Sequence, residues 1–422
     1  MPKGFRTGDQ ALIRAYNRAI LLNLLRVSRP RSRADLAAAT GLNKTTVSSL
    51  VEELITAGLV REIGHTVSAG GRPPVLLELN PRAGCIIGAE LGVRYISVVL
   101  SDFRARILWR RQIALDADET PDCALEKLVT LAGEAARVAE ADRQPVLGLG
   151  VGTHGLVDVD TGVLLFAPNL GWHHVPIRQA LSEKFNFPIF VDNDAKTSAL
   201  GEHYYGVAQQ VEDFVYVIAN VGLGAGVVLG GEVHRGATGF AGEVGHTTIV
   251  PDGPVCRCGN RGCWETLASQ NSLIERLRAA VAAGGRTSLP HSNGSLGEVS
   301  IPAVVEAARA GDALVLRALE ETAVYLGIGI ANLINSFNPS LVVLGGSLSL
   351  AADYLLPSIE RVVAERSMPG PREAARILIS AHGFDTCVLG GIALVLHDLL
   401  SHPRLDASTR LRQQLTAETE RR

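Results

Sequence analysis

Between Gly242 and Glu265 the chain reads GEVGHTTIVPDGPVCRCGNRGCWE, a short stretch that holds one imidazole and three thiols, His246, Cys256, Cys258 and Cys263. Thiolate and imidazole are the ligands zinc prefers, and three of the first with one of the second fill a closed tetrahedral site with no place left for water. The Gly-Asn-Arg-Gly run between Cys258 and Cys263 can turn sharply enough to bring the outer sulfurs to one ion, because glycine accepts positive φ. Such an ion would pin the loop and fix where the flanking acids Glu243 and Glu265 point. A disulfide, or idle buried thiols, would use the same residues. The chain opens without a secretory signal pattern, so a reducing compartment and hence Zn2+ are expected.

A second constellation lies near the start of the chain. Asn43, Lys44, Thr45, Thr46 and Ser48 are small polar donors with one cation, grouped at the start of a helical pattern. That is where a helix-turn-helix reads bases in the major groove. Arg72 follows on the glycine-rich run Ser68-Ala-Gly-Gly-Arg, a tip slim enough to approach the DNA backbone or the narrow minor groove. Charge agrees with this placing. Residues 1–82 hold 12 Lys and Arg against 6 Asp and Glu, whereas the remainder holds 28 against 37, the asymmetry of a nucleic-acid-binding arm on an acidic body. A three-helix protein-interaction module would share the same core.

The elements that must position these groups follow from periodicity. Ile13, Tyr16, Ile20, Leu24 and Val27 recur at helical spacing, with Leu21 and Leu25 widening the stripe. Ser32 and Asp35 form a capping arrangement for a short helix that Gly41 ends. Asn43 can cap the next helix, Lys44 to Ala57, with Val47, Leu50, Val51, Leu54 and Ile55 on its buried face. Strands at 59–67 and 75–79 then make a wing, and Asn80-Pro81 a joint.

The whole chain, 422 residues, is too long for one core. Beyond the joint, strands are expected at 85–91, 95–100, 107–113 and 146–151 around a helix over 121–141. A second set falls at 214–219, 227–229 and 341–344. Strands first and helices after, twice over, predict two α/β lobes with a cleft between them. The expected division is 1–80 for the arm, 81–200 and 201–400 for the lobes, with the final helix returning to the first lobe, and a polar tail over 401–422. Apolar runs are broken before the length needed to cross a bilayer, so no membrane is expected. Cys85, Cys123 and Cys387 lack ligand spacing and read as small core residues.

GEVGH with CRCGNRGCWE resembles the paired signatures of the ROK family of bacterial sugar kinases and sugar-responsive repressors. The runs NKTTVSSLVEELITAGLV and GGRPPVLLELN are similar to the winged helix-turn-helix of its repressors, an arm its kinases lack. The resemblance implies an N-terminal winged helix-turn-helix followed by a two-lobed actin-like ATPase (ribonuclease-H-like) body over 83 to about 397. It implies that His246, Cys256, Cys258 and Cys263 hold a structural zinc and that Glu243, His246 and Glu265 touch sugar hydroxyls. APNLGW and VDNDAKTSALGE resemble its other sugar-contacting segments, which brings in Asn169, Asn193 and Asp194. Asp194 matches the general base of the kinases; read alone, it equally suits a turn or a cap.

The phosphate machinery departs from that family pattern. Where the kinases have Asp-x-Gly-Gly-Thr, this chain has Glu90-Leu91-Gly92-Val93-Arg94, and their Gly-Thr-Gly loop appears as Gly222-Leu223-Gly224-Ala225-Gly226. Bulk now stands where backbone amides should approach phosphate. Gly345-Gly346 resembles a nucleotide-side pair and is equally a tight strand-to-helix turn. The combined reading is a repressor of carbohydrate genes that binds operator double-stranded DNA and a sugar or sugar phosphate effector without phosphorylating it. A cytoplasmic homodimer or homotetramer is expected. The alternative is an active ATP-dependent sugar kinase carrying a DNA arm, with Asp194 as base and Arg94 as a substitute phosphate contact. A third is a repressor relieved by a partner protein.

Overall fold

The computed structural model describes residues 10–27, 30–65, 74–116, 118–292 and 295–401. The wing tip with Arg72 and the tail from 402 onward lie outside them.

The arm is three helices, α1 (Gln10–Val27), α2 (Arg33–Thr40) and α3 (Lys44–Thr56), then the antiparallel pair β1 (Val60–His65) and β2 (Val75–Leu79). Local chemistry sets its corners. The Ser32 hydroxyl accepts the Asp35 amide while the Asp35 carboxylate accepts the Ser32 amide at 2.9 Å, satisfying two donors that a helix start leaves open. Asn43 accepts the Thr46 amide at 2.7 Å, and Gly41 closes α2 at φ 69°, a conformation glycine adopts without strain. On α3, Val47, Leu50, Val51 and Leu54 are buried and Ile55 half-buried. The seam of α1 is rotated from the predicted stripe: Ile13 and Tyr16 are 54% and 67% exposed, whereas Leu21, Leu22 and Leu25 are buried. Those three join one apolar cluster with Leu54 of α3 and Leu396 of the last helix. Docking on the body as well as on α3 selects that face.

The body repeats one plan. Its first sheet contains β3 (Cys85–Leu91), β4 (Tyr95–Asp102), β5 (Ile107–Ala114), β6 (Val146–Thr153) and β7 (Ile189–Asn193), in the order β7-β6-β3-β4-β5. Helix α4 (Pro121–Ala141) packs against β3 and β4. After β7 comes α5 (Asp194–Tyr205). The second sheet contains β8 (Phe214–Ala219), β9 (Leu223–Leu229), β10 (Glu232–Val233), β11 (Leu341–Gly345) and β12 (Arg376–Ile379), in the order β10-β9-β8-β11-β12. In each sheet the first three strands are antiparallel neighbours and the last two add in parallel, so the lobes share one topology. The expected strand at 227–229 begins at Leu223, because Gly224 and Gly226 belong to β9 rather than to a free loop.

Two helices lock the lobes. Helix α7 (Thr386–Ser401), which follows α6 (Ala313–Phe337) of the second lobe, lies on β3 and β6 and crosses α5. A Cβ on Gly201 of α5 would sit 2.5 Å from Thr386 O, and one on Gly226 would sit 2.5 Å from Ala195 O. Small residues let α5 press against α7 on one side and β9 on the other, and α5 is buried on nearly every face. The stretch Gly383–Leu400 is long and apolar enough to span a bilayer by composition, against the expectation that no run reaches that length. It is apolar because both sheet and helix cover it. Cys85 and Cys387 are buried, but Cys123 is exposed, since it stands in the first turn of α4, just after the capping Thr120.

Candidate effector and metal site

The loop after β10 is laid flat on β9. Gly242 and Gly245 approach the carbonyls of Ala225 and Leu223 too closely for any side chain, which aims the intervening Glu243 into the space between the lobes. Trp264 anchors the far end: it is buried and its indole N–H donates to Tyr325 O at 2.8 Å. Between these anchors His246, Cys256, Cys258 and Cys263 bring one ligand atom each to within 4.8 Å of all the others. Cys258 Sγ is 3.8 Å from Cys263 Sγ, and His246 Nδ1 is 3.6 Å from Cys256 Sγ. Arms of about 2.3 Å at tetrahedral angles give edges of about 3.8 Å, so the donor set fits a zinc ion in both kind and spacing. Burial pushes the Cys256 and Cys263 thiols above their ordinary range, so ion binding here must expel protons. Cys256 donates to Glu265 Oε1 at 3.0 Å, tying the metal loop to an acid of the adjoining cavity.

That cavity, of about 280 Å³, is lined among others by His154, Phe166, Asn169, Asp194, Glu243, His246 and Glu265. Its size is at the small end of ligand pockets. Asn193 and Asp194 reach it because β7 ends there and α5 begins. Asn193 is the cap of α5: its Oδ1 accepts the amides of Ala195 and Lys196 at 3.0 and 3.3 Å, and its Nδ2 donates to Gly155 O and to Asp194 Oδ1 at 3.1 and 3.0 Å. With both donors and both lone pairs used, its part is to hold Asp194. Across the cleft, a Cβ on Gly222 would sit 2.8 Å from Asn169 Nδ2 and 3.0 Å from Glu265 Oε2. The bare glycine leaves room for those two groups to converge. Burial raises the proton affinity of Glu243, against the pull of Lys196 and His246.

His154 was not singled out from sequence. Its Nδ1 stands 3.0 Å from Asp194 Oδ2, at ion-pair distance but without hydrogen-bond alignment. The available signal was a histidine directly after an apolar, glycine-rich strand, in the turn Thr153-His154-Gly155. Trp172 is buried in the first lobe and donates to Glu119 O at 3.3 Å, while His173 stacks on Phe166 at 4.7 Å.

Of the two stretches that match the phosphate turns, Gly222 to Ala225 line the cavity, whereas the first is closed. Tyr95 returns toward Gly92, whose amide donates to Tyr95 O at 2.9 Å, and a Cβ on Gly92 would lie 3.1 Å from the phenol ring. The Tyr95 hydroxyl donates to Glu90 Oε1 at 2.7 Å. Complete burial lifts the Glu90 carboxyl to about 8, so it is mainly neutral at pH 7 and a poor magnesium ligand. Glu90, Tyr95, Tyr216, Asn220 and Phe384 line a small cavity of about 10 Å³. Arg94 points to solvent. Gly346, at φ 82°, turns the chain so that the Ser347 amide donates to Asn220 Oδ1 at 2.5 Å, a strand-to-helix turn.

On the arm, Lys44, Thr45 and Ser48 are exposed along the first turns of α3 and Thr46 is half-exposed, while the Asn43 carbonyl is committed to the cap. Glu53 is drawn back from that face by Arg14 and Arg18 of α1.

Residues 86–398 match the ROK family and residues 16–66 the MarR family. The xylose repressor of Caldicellulosiruptor bescii is 37% identical over 94% of this chain and 99% of its own. A crystal structure of a ROK family transcriptional regulator, a homologue of the E. coli MLC protein, superposes with TM-score 0.81 and 30% identity over 94% of this chain and 99% of the other. The ROK family glucokinase of Streptomyces griseus, solved with glucose and AMPPNP, gives TM-score 0.63 and 30% identity over 74% of this chain and all of its own. The fold is thus a winged helix-turn-helix on an actin-like, two-lobed body.

Proposed function

The chain belongs to the ROK family, and from that premise we propose that it is a sugar-responsive transcriptional repressor whose kinase-like body binds its sugar without phosphorylating it. One observation carries the reading: beside a cavity of about 280 Å³ the first phosphate turn is folded shut, with Tyr95 over Gly92 and its hydroxyl on the buried Glu90. Phosphoryl transfer depends almost wholly on positioning and charge stabilisation at the nucleotide. With Tyr95 in the first turn and Glu90 neutral, little of either is available.

Asp194, Glu243, Glu265, Asn169 and the metal-held His246 supply the acceptors and donors for sugar hydroxyls. Asn193 orients Asp194, and His154 shares its carboxylate. Zinc on His246, Cys256, Cys258 and Cys263 would make the loop carrying Glu243 and His246 rigid; its role is structural. Xylose is the first sugar to test, because the relative at 37% identity is named a xylose repressor. The effector works by preferring one arrangement of the lobes. In a homodimer or homotetramer this alters the spacing of two arms that must meet DNA a whole number of turns apart. Lys44, Thr45, Thr46 and Ser48 would read bases and Arg72 would meet phosphate, in the cytoplasm.

The test joins three measurements on the full chain: operator binding with and without a panel of pentoses and hexoses, calorimetry with the same sugars, and sensitive ATP-dependent turnover. Heat with one sugar, a change in operator affinity with that sugar, and no product are expected. Product that disappears in Asp194→Asn would establish the kinase reading instead. Operator binding with no heat from any sugar would point to relief by a partner protein.

A further inference from the structure

The joint between arm and body holds a second cavity, of about 150 Å³, that the sugar-responsive reading does not use. It lies between Arg26 of α1, Glu78 of β2, Arg104 in the turn after β4, and Tyr204 and Tyr205 at the end of α5. Pockets between domains are common sites for small ligands, and the charge in this one is unbalanced. The Arg26 guanidinium lies 3.9 Å over the Tyr204 ring and donates to Tyr204 O at 3.1 Å. Among the described residues it has no carboxylate at ion-pair distance. Glu78, the one acid in the wall, is shared by Arg61 at 2.6 Å and Arg104 at 2.7 Å. Asp102, behind the turn, accepts the backbone amides of Arg104 and Arg106 at 2.8 and 3.0 Å. The Tyr205 hydroxyl is buried and has no hydrogen-bond partner among the described residues.

A part-buried cation without a counter-ion costs stability, and an orphaned hydroxyl on another residue of the same wall adds to that cost. One occupant removes both costs. We propose that the joint cavity is a second effector site, which takes a small oxyanion on the Arg26 guanidinium with the Tyr205 hydroxyl donating to it. Phosphate and carboxylate share the required chemistry, an oxygen anion that accepts from guanidinium and phenol together. A volume equal to about five waters restricts the occupant to a free anion or the charged end of a small metabolite.

The position also gives the occupant leverage on DNA binding. Helix α5 starts at Asp194 in the first cavity and ends at Tyr205 in this one, a span of roughly 18 Å, and Arg26 belongs to the arm. An anion that stiffens the joint would change the affinity for the sugar, and the sugar that for the anion, by the same factor. This coupling rests on the sugar-responsive reading; occupancy of the site does not.

The test is a titration of the full-length protein with potassium phosphate and, separately, potassium acetate. Ionic strength is held constant with potassium chloride, with neither sugar nor DNA present, and melting temperature and heat are followed. A saturable rise with at least one anion is expected. Arg26→Met and Tyr205→Phe should each weaken that anion by about ten-fold or more. Tyr205→Phe keeps the ring and deletes only the hydroxyl, so it decides the matter if Arg26→Met loosens the joint. Saturation by acetate alone would assign the site to carboxylates, and by phosphate alone to phosphates. No saturable response to either, or an unchanged response in Tyr205→Phe, overturns the proposal.

Discussion

Replacing Glu90 by Gln tests the account of the closed phosphate region through stability alone. Burial lifts the carboxyl from its ordinary 4.5 to about 8, helped by Asp194 and Asp385 and opposed by the hydrogen bond from Tyr95. Below pH 4.5 the group is protonated whether the chain is folded or unfolded, and it costs nothing. Between 4.5 and about 8 only the unfolded chain gives up the proton, so stability falls as pH rises and levels off above 8. Each tenfold difference in proton affinity is worth about 1.4 kcal/mol, so the cost is roughly 3 kcal/mol at pH 7 and approaches 5 above pH 8. Gln has nearly the same shape, still accepts from Tyr95 and does not titrate. Its amide N–H lacks a partner where Glu90 Oε2 now has none, but that offset does not vary with pH. Denaturant unfolding of both proteins at a series of pH values from 5 to 8.5 should therefore show Glu90→Gln gaining several kcal/mol on wild type as pH rises. A difference that stays flat across the series would show that Glu90 is ionised in the fold, and with it the argument against a metal-nucleotide site would fall.

Three further outcomes follow from the same geometry. Cys258→Ser should lower bound zinc, read by elemental analysis, and abolish the sugar effect on operator binding before it weakens operator binding itself; the reverse order would detach the metal loop from the sugar cavity. Asp194→Asn should weaken the sugar by roughly 10- to 100-fold in calorimetry, the loss of a hydrogen bond to a charged group, with operator affinity unchanged in the absence of sugar. Thr46→Ala should alter which base is preferred at one operator position, whereas Arg72→Ala should weaken all sequences alike and lower the salt dependence by about one counter-ion.

Signals that act over a few residues were readable in the sequence. Ser32 with Asp35, Asn43 and Gly41 set helix ends by bonds to their near neighbours, and the structure keeps them as read. The His246 and cysteine cluster was legible for the same reason, because most of its ligands sit on one tight loop. What depends on the partner surface was not. The face α1 buries is chosen by the body helix against it, hundreds of residues away, so periodicity placed Ile13 and Tyr16 inside when they are outside. Gly224 and Gly226 read as part of a phosphate loop, yet they are strand residues, and Gly226 is thinned to admit α5. His154 meets Asp194 only because β6 and β7 lie side by side in parallel, a pairing no local pattern announces.

The late position of α7 has a consequence for biosynthesis. The sheet formed by residues 85–193 receives one of its covering layers from residues 386–401. Until nearly the whole chain has left the ribosome, Gly88, Gly150 and their aliphatic neighbours face water or a chaperone, however complete the sheet itself is. A message truncated ahead of Thr386 would therefore yield an insoluble, rapidly degraded product rather than a free DNA-binding fragment.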